Sequence, residues 1–307
     1  MLQIFKKDES IKELKALEEG CWVALTAPTY EELNKISEAT NIDIDDLRAP
    51  LDDEERSRIE HENDYVIIVV DIPSLDEKDR YVTIPLGIYI TKTMIVTVCL
   101  EETPILTAFM NDRVKEFYTY KKTRFVFQIL YRNATSYLRY LRIINRKSDQ
   151  IEDELHKSQK NKELIELLEL EKSLVYFTTS LRSNETVLEK LLRTDKVKKY
   201  PEDEELLEDV IVENKQAIEM ANIYSGILSG MMDAFASVIS NNLNVVMKFL
   251  STVTIVLSIP TMIASFYGMN FDNIPLGHNP FGFVIVVVVA LFIALGVSLV
   301  FWRKNLF

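Results

Sequence analysis

A row of side chains with helical spacing runs through an apolar segment near the end of the chain. Five of these residues carry a hydroxyl group and one carries a carboxamide. Successive members are three or four positions apart, so a helix would place all of them on one face. The row consists of Asn244, Met247, Ser251, Thr254, Ser258, Thr261 and Ser265.

Oxygen atoms along one face of an apolar helix suit water and hydrated cations. Because one helix cannot enclose water, several copies would have to surround a common axis with this face directed inward. Leu250 lies beside the row and would join Met247 in an apolar constriction, which can close a channel by dewetting. The alternative is that the small hydroxyl residues only allow membrane helices to pack closely.

The sequence Tyr-Gly-Met-Asn follows the row directly. We expect Gly268 to end the helix with a positive φ, which leaves backbone carbonyls and a partial negative charge at the helix end. Met269 comes next, and Asn270 adds an uncharged carboxamide. Magnesium releases its water reluctantly, so such groups are expected to bind the water shell and not the bare ion.

Two apolar segments must position these groups. Residues 249–267 and 281–302 contain no charged side chain. As helices they would be about 28 Å and about 33 Å long, close to the roughly 30 Å thickness of the hydrocarbon layer. We predict two membrane helices, the second with Asn279 as N-cap and Pro280 in its first turn. The alternative is a helical hairpin buried in a soluble core.

The charges that flank these segments predict their orientation. Lys248 precedes the first segment, Arg303 and Lys304 follow the second, and residues 268–280 contain neither Lys nor Arg. The positive-inside rule therefore places both termini in the cytoplasm and the connecting loop outside. In a bacterium this would be a multi-pass protein of the plasma (inner) membrane.

The part before residue 249 reads as an acidic α+β protein. Apolar β-branched runs in residues 1–120 predict a sheet, and Thr29 with Glu32 predicts a capping box at the start of a helix. Apolar residues every three or four positions predict a helical hairpin, and Pro201 with the acidic stretch after it predicts the start of a third helix.

The predicted fold is an α+β membrane protein with seven parts. They are a cytoplasmic α/β domain (1–120), a helical hairpin (121–200), a stalk helix (201–248), a pore-lining membrane helix (249–267), an external loop (268–280), a second membrane helix (281–302) and a cytoplasmic tail (303–307).

Composition and the absence of certain motifs limit the classes of function that this chain can have. Of residues 249–307 only Asp272, Arg303 and Lys304 are charged, which gives this part a charge of +1, so residues 1–248 carry −13 and the total net charge is −12. Such an acidic domain disfavours nucleic acid and favours cations. No phosphate-binding loop, zinc-protease motif or Cys-x-x-Cys occurs, so we expect neither an enzyme nor a nucleotide site. Transport would then be driven by ion gradients.

The motif at 267–271, Tyr-Gly-Met-Asn-Phe, followed by a second apolar segment and a short basic tail, resembles the CorA family of magnesium channels. The resemblance covers the whole layout. It implies a funnel-shaped homopentamer in the lipid bilayer that passes Mg²⁺. By the same resemblance Gly268, Met269 and Asn270 would form the external selectivity site.

The resemblance also assigns roles closer to the cytoplasm. Asn244 would be the pore asparagine, Met247 and Leu250 the hydrophobic gate, and Asp233 an acidic ring at the pore entrance. Asp209 would bind regulatory Mg²⁺ between subunits. Its partner carboxylate would come from the α/β domain, where Asp76, Glu77 and Asp79 are the candidates.

Two positions depart from the family pattern. Leu276 stands where many members have a glutamate in the external loop, and only Arg303 and Lys304 represent the basic cluster after the second helix. Two alternatives to magnesium transport remain open. One is a transporter of zinc, cobalt or nickel on the same scaffold, with Co²⁺ or Ni²⁺ as cargo. The other is a membrane-anchored coiled-coil sensor or scaffold that carries no ions.

Overall fold

The computed structural model describes residues 1–158, 161–195, 197, 199–269, 274–276 and 279–304. For residues 156–158 and 161 it describes the backbone only. The strands are β1 (Leu2–Lys7), β2 (Ile11–Leu14), β3 (Trp22–Thr26), β4 (Arg58–His61), β5 (Tyr65–Leu75), β6 (Tyr81–Thr91) and β7 (Ile95–Cys99). The helices are α1 (Tyr30–Thr40), α2 (Ile44–Arg48), α3 (Pro104–Met110), α4 (Lys122–Ser158), α5 (Asn161–Arg193), α6 (Pro201–Tyr267) and α7 (Gly282–Arg303).

The strands form one mixed sheet in the order β2-β1-β3-β7-β6-β5-β4. β3 and β7 are parallel, and every other neighbouring pair is antiparallel. The long hairpin of β5 and β6 pairs from Tyr65 opposite Thr91 to Leu75 opposite Tyr81. These strands are rich in β-branched residues, which suit a buried sheet. The predicted α+β character is confirmed.

Both faces of the sheet are covered by helices. α1 and α2 contribute Leu33, Ile36 and Leu47 to the core on one face. On the other face α3, α4 and α5 pack together with the first turns of α6, which contribute Leu207 and Val210. Burial of these apolar side chains from water supplies the main driving force for this arrangement.

Local signals set several of the helix starts. The Thr29 side chain accepts the Glu32 N–H and the Glu32 side chain accepts the Thr29 N–H, which confirms the predicted capping box. α6 begins at Pro201 as predicted, and the Asp203 carboxylate accepts the Tyr200 N–H at 3.2 Å. Proline fits the first turn of a helix because its missing donor would have no partner there.

The chain divides into two compact units, Met1–Met231 and Met232–Phe307, and their boundary falls inside α6. α6 and α7 each contain a window apolar enough to cross a membrane, with mean hydropathy 1.8 and 3.2. Only 6% and 11% of these windows are buried, so the described residues do not form the buried core hairpin that was the alternative. Pro260 lies within α6, which continues past it to Tyr267.

Candidate ion-conduction site

The hydroxyl row lies on an exposed face of α6. Ser251, Thr254, Ser258, Thr261 and Ser265 are all exposed. Asn244 is exposed as well, and the side chains of Met247 and Leu250 are 54% and 52% exposed. The structure of one chain therefore leaves every residue of the row accessible to solvent or to another copy.

The opposite side of α6 packs against α7. Thr252, the hydroxyl residue outside the row, is only 5% exposed. Ala290 and Ala294 are the buried positions in the middle of α7, and small side chains allow two membrane helices to approach closely. Pro260 and Ile263 line a cleft of about 380 Å³ that also includes Ala290. The two faces of α6 thus differ: one contacts α7 and the other carries the hydroxyl row.

Three hydroxyl groups of the row, those of Thr254, Ser258 and Thr261, donate their hydrogens inside the helix. The Thr254 hydroxyl donates to the Leu250 carbonyl at 2.8 Å, and Thr261 donates to the Leu257 carbonyl at 3.0 Å. Ser258 donates to the Ile255 carbonyl at 2.8 Å. A hydroxyl group has one hydrogen and two lone pairs, so each oxygen keeps acceptor capacity for another donor.

These oxygens border a groove along the row. The groove has a volume of about 570 Å³. Its polar lining residues are Thr254, Ser258, Thr261 and Ser265, and Leu257, Met262 and Phe266 complete it. The groove can accept hydrogen bonds from water, and none of its described lining residues is an acidic or basic one that would bind an ion tightly.

The end of α6 differs from the prediction. The Gly268 N–H donates to the Ala264 carbonyl at 3.0 Å and to the Ser265 carbonyl at 3.2 Å. The Met269 N–H donates to the Phe266 carbonyl at 3.4 Å. The last turn therefore tightens to the i to i−3 pattern that is common at helix ends. Gly268 does not adopt a positive φ, so the expectation of a left-handed terminus was wrong.

The motif predicted to form the selectivity site, residues 268–270, is described only in part. Gly268 and Met269 lie just after the end of α6, and the Met269 side chain is 45% exposed. Asn270 and the loop carboxylate Asp272 lie outside the described residues. A Cβ atom added at Gly268 would meet the Ala264 and Ser265 carbonyl oxygens at 3.4 and 3.5 Å, which is ordinary contact. The local backbone therefore does not itself require glycine at this position.

The start of α7 also differs from the prediction. The helix begins at Gly282 with Phe281 as its N-cap, so Asn279 and Pro280 lie before it. The Asn279 side chain does accept a backbone N–H at 3.0 Å, but the donor is Phe281, the N-cap itself. A Cβ atom at Gly282 would overlap with the Leu276 carbonyl oxygen. The backbone of Leu276 therefore lies against the first residue of the helix.

The carboxylates of the β5–β6 turn that were expected to bind regulatory metal differ in their hydrogen bonds and ion pairs. Asp76 accepts the backbone N–H of Lys78 at 2.8 Å and that of Arg80 at 2.9 Å, and its carboxylate pairs with the Arg80 guanidinium at 2.6 Å. These hydrogen bonds from Arg80 lower the pKa of Asp76. Glu77 and Asp79 are exposed on the same turn.

The other acidic candidates lie on α6. Asp209 and Asp233 are both exposed. Within the described residues of one chain, no group of three or more His, Cys, Asp or Glu side chains is arranged to hold a metal ion. The structure of one chain therefore does not bring Asp209 together with the carboxylates of the β5–β6 turn in such a group.

The chain is an α+β unit followed by α6, whose last part is apolar and carries the hydroxyl row, and by the apolar helix α7, so it has the layout of a protein with two candidate membrane spans. The model of the family described as "CorA-like Mg2+ transporter protein" matches residues 18–304. The cobalt/magnesium transport protein CorA of Methanocaldococcus jannaschii is 32% identical over 293 residues, which cover 92% of this chain and 90% of that protein.

Two further comparisons also match CorA proteins. The complete structure of the magnesium transporter CorA from Methanocaldococcus jannaschii superposes with a TM-score of 0.88 at 29% identity, and it covers 99% of this chain and 98% of that one. The cobalt/magnesium transport protein CorA of Thermotoga maritima is 27% identical over 55% of this chain and 48% of that protein. The chain belongs to the family of CorA-like magnesium transporters.

Proposed function

We propose that this protein is a channel for magnesium influx, driven by the electrochemical gradient. The carrying observation is the exposed hydroxyl row of α6, in which Thr254, Ser258 and Thr261 donate their hydrogens within the helix and keep acceptor capacity on the exposed face. The water molecules around Mg²⁺ point their hydrogens outward, so a wall of acceptor oxygens matches a hydrated ion. A divalent ion gains about 4.6 kcal/mol per 100 mV on moving inward, twice the value for a single charge.

The channel requires several copies. In the proposal five chains form a funnel-shaped homopentamer in which the rows face a common axis. Met247 and Leu250 form the apolar gate near the cytoplasmic end, and Asp233 forms an acidic ring at the entrance. The exposure of Met247 and Leu250 in one chain supports this arrangement, because a subunit interface or a pore would cover or wet them.

The external mouth is assigned to Gly268, Met269 and Asn270. The end of α6 supports this assignment, because the last carbonyls of a helix carry a partial negative charge that attracts cations. Both termini are placed in the cytoplasm and the loop outside the plasma membrane, in line with the basic residues Lys248, Arg303 and Lys304.

Regulation is assigned to cytosolic Mg²⁺ bound between subunits. Asp209 of one copy would share the ion with a carboxylate on the β5–β6 turn of its neighbour. Exposed carboxylates suit a hard cation such as Mg²⁺. Because the Asp76 carboxylate is already paired with Arg80, Glu77 and Asp79 are the better candidates on that turn. Bound ions would offset the repulsion between acidic subunits and hold the gate closed.

Cobalt is a second cargo to consider. The Methanocaldococcus jannaschii and Thermotoga maritima relatives are both named as cobalt/magnesium transport proteins. Neither Cys nor His occurs in the hydroxyl row, which favours a hard ion over a soft one. Transport of Co²⁺, Ni²⁺ or Zn²⁺ is therefore the alternative to be measured beside Mg²⁺.

The test is ion uptake by purified protein in liposomes, with Mg²⁺, Co²⁺, Ni²⁺ and Zn²⁺ supplied separately. We expect Mg²⁺ uptake from the wild type and its loss in Asn270→Ala. Asn279→Ala, in the same loop, serves as the matched carboxamide control and should retain uptake. No uptake of any ion by the wild type would refute the proposal, and preferential uptake of Zn²⁺ would replace magnesium as the cargo.

A further inference from the structure

A buried asparagine of α5 bonds to the backbone of β5. Asn184 is only 2% exposed. Its side-chain oxygen accepts the Asp71 N–H at 2.9 Å, and its side-chain nitrogen donates to the Asp71 carbonyl at 2.8 Å. Pairing between β4 and β5 ends at Arg58 opposite Val69, before Asp71 is reached. Asn184 thus supplies the two hydrogen bonds that a neighbouring strand would have made.

The same backbone position is held by α4. The Asn133 side chain donates to the Asp71 carbonyl at 2.8 Å, and the Tyr137 hydroxyl donates to it at 3.2 Å. Asn133 and Tyr137 are buried. One peptide group of β5 is therefore fixed by side chains from both helices of the hairpin.

A second buried asparagine joins α5 to α6. Asn214 is 2% exposed, and its side-chain nitrogen donates to the Leu181 carbonyl at 3.0 Å. Next to it, the Lys215 ammonium lies 3.9 Å from the Glu185 carboxylate. One turn of α5 therefore bonds to β5 through Asn184 and to α6 through Leu181.

Such contacts fix register. Apolar side chains can repack after a helix slides, but a buried carboxamide that loses its partner is left unsatisfied. A single buried asparagine between helices is known to specify one register for this reason. Asn214 should therefore prevent α6 from sliding along α5, and Asn184 should prevent α5 from shifting on the sheet.

This arrangement connects the β5–β6 turn to the pore helix. Asp71 lies on β5, which runs on to Leu75 just before the turn that carries Glu77 and Asp79. We propose that Asn184 and Asn214 are positioning residues: they fix the register of α5 on the sheet and of α6 on α5, and they carry a displacement of this turn to α6. The second half of this inference rests on the proposed regulation by metal at the turn.

The test uses Asn214→Leu in the full-length protein, with Asn34→Leu as control. Leucine matches asparagine in size but lacks the carboxamide, and Asn34 is an exposed residue of α1. Spin labels on cysteines placed at Thr186 and Gln216, both exposed, report the distance between α5 and α6. An excess of unlabelled protein ensures that the measured distances come from single chains.

In Asn214→Leu we expect a second or broadened distance distribution, and a rise of about five-fold or more in the Mg²⁺ concentration that half-inhibits uptake. Asn34→Leu should match the wild type in both. If Asn214→Leu does not assemble, Asn214→Ala removes the same group with less volume and the same results are expected.

The outcomes separate the two claims. An unchanged distance distribution in the Asn214 variant overturns the role in register. A changed distribution with unchanged half-inhibition overturns the transmission to α6. If even the wild type takes up no Mg²⁺, the proposed function fails, and the distance distribution still decides whether Asn214 fixes the register.

Discussion

The Thr254 hydroxyl donates its hydrogen to the Leu250 carbonyl one turn earlier, at 2.8 Å. Its oxygen faces the groove on the exposed side of α6. Two residues away Thr252 is only 5% exposed, and it is not among the residues that line the groove. The same residue type therefore occupies two environments in one turn of helix, and this difference gives a matched pair of variants.

Thr254→Val should slow Mg²⁺ uptake, whereas Thr252→Val should not. Valine keeps the shape of threonine but removes an acceptor for the water shell of the ion. A net hydrogen bond is worth about 1 kcal/mol, which corresponds to about five-fold in rate for each affected contact. Uptake into liposomes is the measurement. Equal rates in the two variants would show that the hydroxyl row does not contact the ion.

Gly282→Ala should destabilise the loop before α7. The added methyl group would overlap with the Leu276 carbonyl, so the loop must move. Overpacking of this kind costs about 1–3 kcal/mol. Gly296→Ala, in the same helix with nothing within 4 Å of the added atom, is the control. Thermal unfolding in detergent measures the difference, and equal midpoints would contradict the loop geometry described above.

Asp71 should give the free energy of unfolding a distinct pH dependence. Burial raises the pKa of the Asp71 carboxyl above its ordinary value. The folded state therefore holds this proton more tightly than the unfolded chain does. The contribution of Asp71 to stability then falls as pH rises from the ordinary pKa of 3.8 through the raised value.

Asp71→Asn should remove this part of the pH dependence, and Asp53→Asn, at an exposed position, should leave it in place. Unfolding can be followed by the fluorescence of Trp22, which is fully buried. Identical pH profiles for the wild type and Asp71→Asn would show that the carboxyl does not titrate differently in the folded protein.

Asp209→Ala should weaken inhibition of uptake by cytosolic Mg²⁺. Loss of one carboxylate from a shared ion should raise the half-inhibitory concentration by about five-fold or more. Glu204→Ala, another exposed acidic position on α6, is the control. The measurement is uptake at a series of internal Mg²⁺ concentrations. An unchanged inhibition curve for Asp209→Ala would exclude this residue from the regulatory site.

Features with local causes were predictable from the sequence. The capping box of Thr29 with Glu32 and the start of α6 at Pro201 both depend on residues close in the chain. The spacing of three and four positions likewise predicted that Ser251, Thr254, Ser258, Thr261 and Ser265 share one face of α6, and all five are exposed.

Features that depend on distant atoms were not predictable. The prediction of Asn279 as N-cap was wrong because an asparagine before a helix resembles an N-cap, whereas here its side chain accepts the N–H of Phe281, which is itself the N-cap. The sequence offered Asp76, Glu77 and Asp79 as equal candidates for metal binding. The structure distinguishes Asp76, because its carboxylate is paired with Arg80. The hydrogen bonds of Asn184 could not be predicted, because its partner, Asp71, is 113 residues away in the chain.

The shared role of α6 has a consequence for biosynthesis. Leu207 and Val210 belong to the core beneath the sheet, so the sheet and hairpin cannot complete that core until the ribosome has made the first turns of α6. The same helix continues into the apolar segment that must enter the lipid. Domains fold as the chain emerges from the ribosome. The N-terminal unit should therefore complete its core at about the time when the first membrane span reaches the insertion machinery.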